Sequence, residues 1–197
     1  MKKNLFYLIS FLLLSSCFVN QPKYYLSGTN ETFPSDISER KWVIAFHNFS
    51  SSAEQEVKAQ IIADFQSIFQ NNIKFQSDFL NFDNFRPATE RLSNEELQEI
   101  KEESDAEFFA FFKIYMKYEV PTKMIWVEKR GNEKYRNMFL FLEVYNLETN
   151  ELIYTKQAVS QLKFDDSGDF ISEVGVKKQA IKTYEKLKKD FTQKLEK

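Results

Sequence analysis

Glycine and proline are scarce in this chain, with four of each among its 197 residues. Average usage of roughly 12% for the two residue types together would supply about 24. Their scarcity excludes collagen-like and linker-rich architectures, and it excludes a glycine-rich phosphate-binding loop. One cysteine and one histidine exclude a disulfide scaffold and argue against a zinc site.

An excess of positive charge is also missing. The chain carries 27 Lys and Arg against 29 Asp and Glu, for a formal net charge of −2. A nucleic-acid-binding domain normally carries a basic face or stripe, so we expect no nucleic acid among the partners. Charged residues at 28% and hydrophobic residues at 43% are typical of a globular chain of one domain.

The N-terminus has the pattern of a signal peptide. Lys2 and Lys3 precede residues 5–14, which are apolar except for Ser10. Ten residues at a rise of ~1.5 Å each reach only about half of the hydrocarbon core, so this stretch is too short to span a bilayer. A short positive segment, a short apolar segment and small residues after it predict secretion, with residues 1–16 as the signal peptide.

The stretch Leu14-Ser15-Ser16-Cys17 resembles a bacterial lipobox, and permissive lipoboxes of this kind are similar to those of spirochaetes. The resemblance implies that Cys17 becomes the first residue of the mature chain and is the lipid attachment site, carrying S-diacylglycerol and an N-acyl group. Loss of both N-terminal lysines with the signal peptide would change the formal charge from −2 to −4. An ordinary cleaved signal with an incidental or buried structural cysteine is the alternative.

Residues 17–40 are expected to be a lipidated N-terminus and tether, in which Tyr24-Tyr25-Leu26 can pack onto the body. They contain half of the prolines of the chain and no sustained periodicity, which is typical of a connecting segment. Phe18 and Val19 stand where an aspartate would resemble the inner-membrane retention signal of enterobacteria. Their presence favours anchoring in the outer membrane of the bacterial envelope, on a face that the sequence does not specify.

Apolar periodicity predicts that residues 41–197 form one α/β domain. The first half of the domain is predicted to contain a strand over 42–49, a helix opened by a capping box at Ser51 and Glu54, an extended region over 73–85, and a helix opened by a capping box at Ser93 and Glu96 that ends near Ser104. The second half is predicted to contain a strand over 108–120, a short strand over 124–127, strands over 138–145 and 152–162, and a helix from about Asp169 to the end. Together they predict a two-layer α/β sandwich. Its mixed sheet has about five or six strands, its helices lie mainly on one face, and an amphipathic helix forms the C-terminus.

The strand over 108–120 has the clearest alternation in the chain. One face is apolar throughout, from Phe108 to Val120, while the other begins with Phe109 and Phe111 and continues with Lys113. We therefore expect the second face to be solvated toward the C-terminal end of this strand.

The body also carries a second resemblance, in residues 43–49, 104–109 and 142–152. These segments are similar to the opening strand, a strand entry and a strand–turn–strand hairpin of a periplasmic lipoprotein superfamily that includes CsgG, LpoB and the N-terminal domain of TolB. Asn150 stands where that hairpin usually has glycine, and asparagine also tolerates the left-handed conformation. The resemblance implies a non-enzymatic module that binds another envelope protein.

Candidate catalytic and metal-binding residues are few. His47 ends an apolar strand with no ligand beside it, so a turn or capping role is expected. Asp165, Asp166 and Asp169 depart from calcium-loop spacing and predict a solvated loop and helix N-cap. The acids over 102–107 are expected to form a solvated helix end. With no nucleophile elbow either, we expect no enzyme, no metal and no cofactor.

Two functions remain open. The first is a membrane-anchored structural or adaptor lipoprotein that binds an envelope protein through the half-apolar face of the sheet or through an exposed strand edge. The second is a carrier of an apolar ligand in a pocket lined by some of the 21 phenylalanines. Most of these phenylalanines occupy core-facing positions of predicted elements, which favours packing over ligand binding.

Overall fold

The computed structural model of the chain describes residues 22–29, 33–34, 36–47, 49–76, 91–119, 134–164 and 173–195. Nine principal elements follow one another along the chain, together with two short 3-10 turns at Ile37–Glu39 and Gln70–Asn72. They are β1 (Lys23–Gly28), β2 (Trp42–His47), α1 (Ser52–Phe69), β3 (Ile73–Gln76), α2 (Asn94–Ser104), β4 (Phe108–Glu119), β5 (Lys134–Asn146), β6 (Glu151–Phe164) and α3 (Glu173–Leu195).

The six strands form one mixed sheet in the order β1-β6-β5-β4-β2-β3. β2 pairs in parallel with β3 and with β4, and the remaining neighbours are antiparallel. β4, β5 and β6 form the predicted meander of three long strands. The sequence-based fold class, an α/β sandwich with a mixed sheet and a C-terminal helix, is confirmed.

Both capping boxes form as predicted. The Ser51 and Ser93 side chains accept from the backbone N–H three residues on, and the Glu54 and Glu96 carboxylates accept from the N-cap backbone. Each box satisfies N–H groups that the first turn of a helix leaves without intrahelical partners. Asn150 has a φ of 56°, the left-handed conformation expected at the β5–β6 turn.

The main core lies between one face of the sheet and the helices α1 and α3. Aromatic side chains dominate it: Trp42 lies 4.5 Å from Phe69 between ring centroids, and Phe65 lies 5.1 Å from Phe191. Burial of this apolar surface is the principal stabilising contribution to the fold. The phenylalanines that the sequence assigned to packing, including Phe108 and Phe112, are buried here.

The structure differs from the sequence prediction at the N-terminal side of the domain. Residues 17–40 were expected to be a tether in which Tyr24-Tyr25-Leu26 can pack onto the body, and Lys23–Gly28 form a regular edge strand that pairs antiparallel with β6. Phe33 and Ile37 from the same range are buried in the main core. Such a short strand has no strong periodicity of its own, and its position is fixed by pairing with a partner that is distant in sequence.

Some expected elements lie wholly or partly outside the described residues. The predicted strand over 124–127 and the acidic loop at Asp165 and Asp166 are among them. Of the extended region predicted over 73–85, the described part is the strand Ile73–Gln76, and the C-terminal helix is described over Glu173–Leu195.

Candidate interaction surface

The second face of the sheet is covered at one end by α2. Leu97 and Ile100 of this helix join a small buried cluster with Val43 and Phe109 of the sheet and with Tyr145 of β5. α2 reaches only one end of this face because the helix is short: its eleven residues span roughly 16 Å at 1.5 Å per residue.

A buried polar network continues from this cluster. The Lys113 Nζ lies 2.7 Å from Glu143 Oε1, and the two side chains are 0% and 7% exposed. The Tyr145 hydroxyl donates to Glu143 Oε2 at 2.8 Å and accepts from the Leu92 backbone N–H at 3.4 Å. Burial and the adjacent carboxylate raise the pKa of the Tyr145 hydroxyl, which keeps it protonated as a donor.

The expectation that Lys113 lies on a solvated face is therefore wrong. Alternation along β4 correctly places this lysine opposite the main core. It cannot reveal that the neighbouring strand supplies a carboxylate, because that pairing depends on the register between β4 and β5.

Four apolar side chains form a row across the rest of this face. The register pairs Tyr115 of β4 with Phe139 of β5, Phe139 with Val159 of β6, and Val159 with Tyr25 of β1. Side chains directly opposite on neighbouring antiparallel strands lie on the same face. We call these four residues the apolar row.

The apolar row is incompletely buried. Tyr115, Phe139 and Val159 are half-buried, and Tyr25 is 53% exposed. None of the four belongs to either of the two buried hydrophobic clusters of the described residues. Phe141, one pleat further along β5, lies 6.0 Å from the Tyr115 ring and is also half-buried, so the apolar surface extends beyond the row.

Polar side chains border the apolar row on both sides. Toward one end of the strands, Asn137 and Gln161 pair across β5 and β6, and the Gln161 side-chain amide donates to Asn137 Oδ1 at 3.2 Å. Toward the other end, Ser27 and Gln157 pair across β1 and β6, so this border is polar on those two strands, while Phe141 occupies the same line on β5. An apolar centre with a polar rim is the usual anatomy of a protein-binding surface.

The two described pockets lie away from the apolar row and are lined mainly by polar and charged residues. The larger encloses about 500 Å³ and is lined by Lys41, Gln98, Lys101, Glu102, Asp105, Ala106, Glu107 and Glu148. The smaller encloses about 310 Å³ at the C-terminal end of α1, where Phe69 is its one phenylalanine. Neither resembles the phenylalanine-lined cavity that the carrier hypothesis requires.

The acids predicted to form a solvated helix end are partly engaged in surface ion pairs. Asp105 pairs with Lys41 at 2.6 Å, and Glu107 pairs with Arg40 at 2.7 Å. The hydrogen bond from Lys41 holds the pKa of Asp105 below its usual value. Lys41, Asp105 and Arg40 are exposed and Glu107 is half-buried, so the pairs hold the strand ends together only weakly.

His47 is the last residue of β2 and is buried, rather than lying in a turn or capping a helix as expected. Its ring lies 6.2 Å from the rings of Phe111 and Tyr115. Within the described ranges, no group of three or more His, Cys, Asp or Glu side chains could hold a metal ion. Cys17, the predicted lipid attachment site, lies outside those ranges.

A membrane-spanning helix is also absent from the described part of the chain, where no helix is both long and apolar enough to cross a bilayer. Comparison with known proteins finds no matching family model and no matching curated sequence.

Solved structures do match. They include a neuraminyllactose-binding hemagglutinin homologue from Helicobacter pylori (TM-score 0.43, 11% identity, covering 85% of this chain and 87% of that one). The PelC dodecamer from Paraburkholderia phytofirmans matches with a TM-score of 0.38 and 12% identity, over 83% of this chain and 94% of that one. Lipoprotein GNA1162 from Neisseria meningitidis matches with a TM-score of 0.37 and 3% identity, over 76% and 99%. Likenesses this distant carry no inference about partner or activity.

Sequence reasoning anticipated a half-apolar sheet face without locating it. Tyr25 lay in the presumed tether, and alternation alone does not align Phe139 with Val159. The row could have been predicted in part from the turn between β5 and β6. The turn and the alternation of apolar residues on either side of it set the register of this hairpin, and the register aligns Phe139 with Val159.

Proposed function

We propose that this chain is a lipid-anchored protein of the bacterial envelope, a non-enzymatic adaptor that binds another envelope protein through the apolar row. The observation that carries the proposal is the alignment of four incompletely buried apolar side chains across four strands, with polar neighbours on both sides. Apolar surface of this kind on a folded domain marks a site of association more often than chance exposure.

The membrane attachment rests on Cys17. Its position behind a short apolar segment and two serines supports lipidation, and two or three acyl chains anchor a protein far more firmly than one. We expect Cys17→Ser to abolish incorporation of radiolabelled palmitate. Ser16→Ala, which brings the site nearer to the common lipobox, is the matched control and should retain the label. Persistence of label in Cys17→Ser would refute the lipid site.

The adaptor role is tested by site-specific photo-crosslinking in the envelope. A photoreactive residue is placed at Phe139 or Val159 in the apolar row, and at Lys178 on the exposed side of α3 as the control. We expect one discrete adduct from both row positions, containing a second protein that mass spectrometry identifies, and no such adduct from Lys178. Equal yields at all three positions would refute a specific surface at the row.

The carrier alternative makes a different prediction. Protein purified from its own envelope would retain a lipid or other apolar mass in native mass spectrometry. We expect no such mass, since the described pockets are lined mainly by polar and charged residues. A stoichiometric co-purifying lipid would overturn the adaptor as the sole function.

A further inference from the structure

The outer edge of β1 differs from every other described surface. Tyr25 and Leu26, at 53% and 42% exposed, are the large hydrophobic side chains exposed among the described residues, and they are adjacent in this strand. β1 ends the sheet, so one of its edges has no neighbour among the described strands. An exposed apolar edge strand offers unpaired backbone groups for association.

The opposite edge of the sheet, at β3, is also open among the described strands but has no exposed large hydrophobic side chain there. β3 is four residues long, against six for β1, and it carries Lys74 within it. The Lys74 Nζ donates to the Ser104 carbonyl oxygen at 2.8 Å. A short strand with a charged residue is a common protection against edge pairing, and β1 has its one charge, Lys23, at its first position.

The direction of the free backbone groups follows from the observed hydrogen bonds. The Leu147 backbone N–H donates to the Glu107 carbonyl at 2.8 Å, so the odd-numbered residues of β5 point their backbone groups toward β4 and the even-numbered ones toward β6. The long register of β5 and β6 pairs even with even, which leaves the odd-numbered residues of β6 to bond with their odd-numbered partners in β1. Successive residues of a strand point their backbone groups to opposite sides. Those of Tyr24 and Leu26 therefore point to the open edge.

We infer that this edge pairs with β1 of a second copy of the chain, antiparallel and about a two-fold axis at Tyr25. In this register Tyr24 exchanges backbone hydrogen bonds with Leu26 of the other copy, and the two Tyr25 side chains meet as a non-hydrogen-bonded pair. Lys23 lies opposite Ser27 of the other copy, so no like charges oppose each other. The apolar row then continues without interruption from one copy into the other.

The short connection to the membrane fits this arrangement, a step that uses the lipid site proposed above. Because the sheet begins at Lys23, five residues separate it from Cys17, and the six steps from Cys17 to Lys23 span at most about 20 Å. The two Lys23 residues of the pair are four positions apart along the strands, or roughly 13 Å. Both anchors can therefore enter one leaflet while the strands remain paired.

The size of the contact indicates where the pair forms. A fully exposed aromatic side chain offers roughly 200 Å², so Tyr25 leaves about half of that available in each copy. The exposed parts of Tyr25 and Leu26 from both copies then sum to well below the roughly 1,200 Å² of a stable interface. Pairing is weak between free molecules and is favoured when both copies are held in one membrane.

Disulfide trapping in intact envelopes tests the pairing with the full chain. In the pair the two Tyr25 Cα atoms lie about 4.5 Å apart, within the range that a disulfide bridges. Under mild oxidation we expect Tyr25→Cys to give at least fivefold more disulfide-linked dimer than Lys178→Cys on the exposed side of α3. The wild-type chain, whose one cysteine is Cys17, measures any disulfide-linked dimer that forms through the Cys17 thiol.

The register has its own test. Lys23→Cys and Ser27→Cys, carried on two differently tagged copies, should form a mixed disulfide when expressed together, and neither should form one alone. Leu26→Pro removes an outward-pointing N–H at a position where an edge strand tolerates proline. Added to Tyr25→Cys, it should reduce the dimer at least fivefold while the circular dichroism melt of the chain is retained. A Tyr25→Cys yield no greater than that of Lys178→Cys would overturn the pairing, whatever the palmitate and photo-crosslinking results.

Discussion

Removal of one partner from the buried Lys113–Glu143 pair should destabilise the domain severely. Lys113→Met leaves the Glu143 carboxylate 7% exposed with the Tyr145 hydroxyl as its described donor. Breaking a buried ion pair in this way typically costs about 3–5 kcal/mol, against a total stability of about 5–15 kcal/mol for a domain. Urea denaturation followed by far-UV circular dichroism measures the difference.

The double variant separates charge from packing. Glu143→Leu alone should also be costly, since it leaves the Lys113 ammonium without this carboxylate. In Lys113→Met with Glu143→Leu both charges are gone, so we expect a smaller loss than in either single variant and a coupling energy of at least about 2 kcal/mol. The matched control is Lys41→Met, which breaks an exposed pair of similar length and should leave the urea midpoint unchanged. Additive single effects, or a Lys113→Met cost below about 1 kcal/mol, would refute the burial argument.

Three further outcomes are expected. Burial raises the pKa of the Tyr154 and Tyr184 hydroxyls, and the carboxylates beside them raise it further. The contribution of these hydroxyls to stability is complete below the usual tyrosine pKa of about 10 and falls as the pH rises above it. Absorbance at 295 nm should therefore show these two tyrosines ionising only as the chain unfolds. Gly28→Ala should cost about 1–3 kcal/mol in urea melts, because φ is +132° and a Cβ there would overlap the Thr155 carbonyl oxygen of β6. The hydrogen bond from Arg40 lowers the pKa of Asp36, so Arg40→Met should raise this pKa in an NMR titration. The contribution of the Asp36 carboxylate to stability is present above the usual aspartate pKa and is lost as the pH falls through the lowered pKa. An unchanged Asp36 titration would contradict this assignment.

Local sequence signals predicted the local structure well. Both capping boxes, the left-handed Asn150 and the β4–β5–β6 meander depend on residues close together in the chain, and all are confirmed. The α/β class followed from the order of these elements.

Features that depend on residues distant in sequence were not predicted from the sequence. β1 exists as a strand because β6 provides its partner; the apolar Tyr24-Tyr25-Leu26 indicated contact with the body, but nothing within 23–28 identifies β6 as the partner. The same holds for Lys113, whose burial depends on Glu143 of the neighbouring strand. The apolar row is a third case, since it requires the register of four strands at once.

The pairing of β1 with β6 also sets an order of folding. Thr29 and Thr155 bond across 126 positions of sequence, whereas β4, β5 and β6 pair with their immediate neighbours along the chain. Contacts between near neighbours close first, because distant ones require a much larger loop to be ordered. The N-terminal strand is thus expected to join the sheet last, and the edge of β6 that receives it stays open until the rest of the sheet has formed.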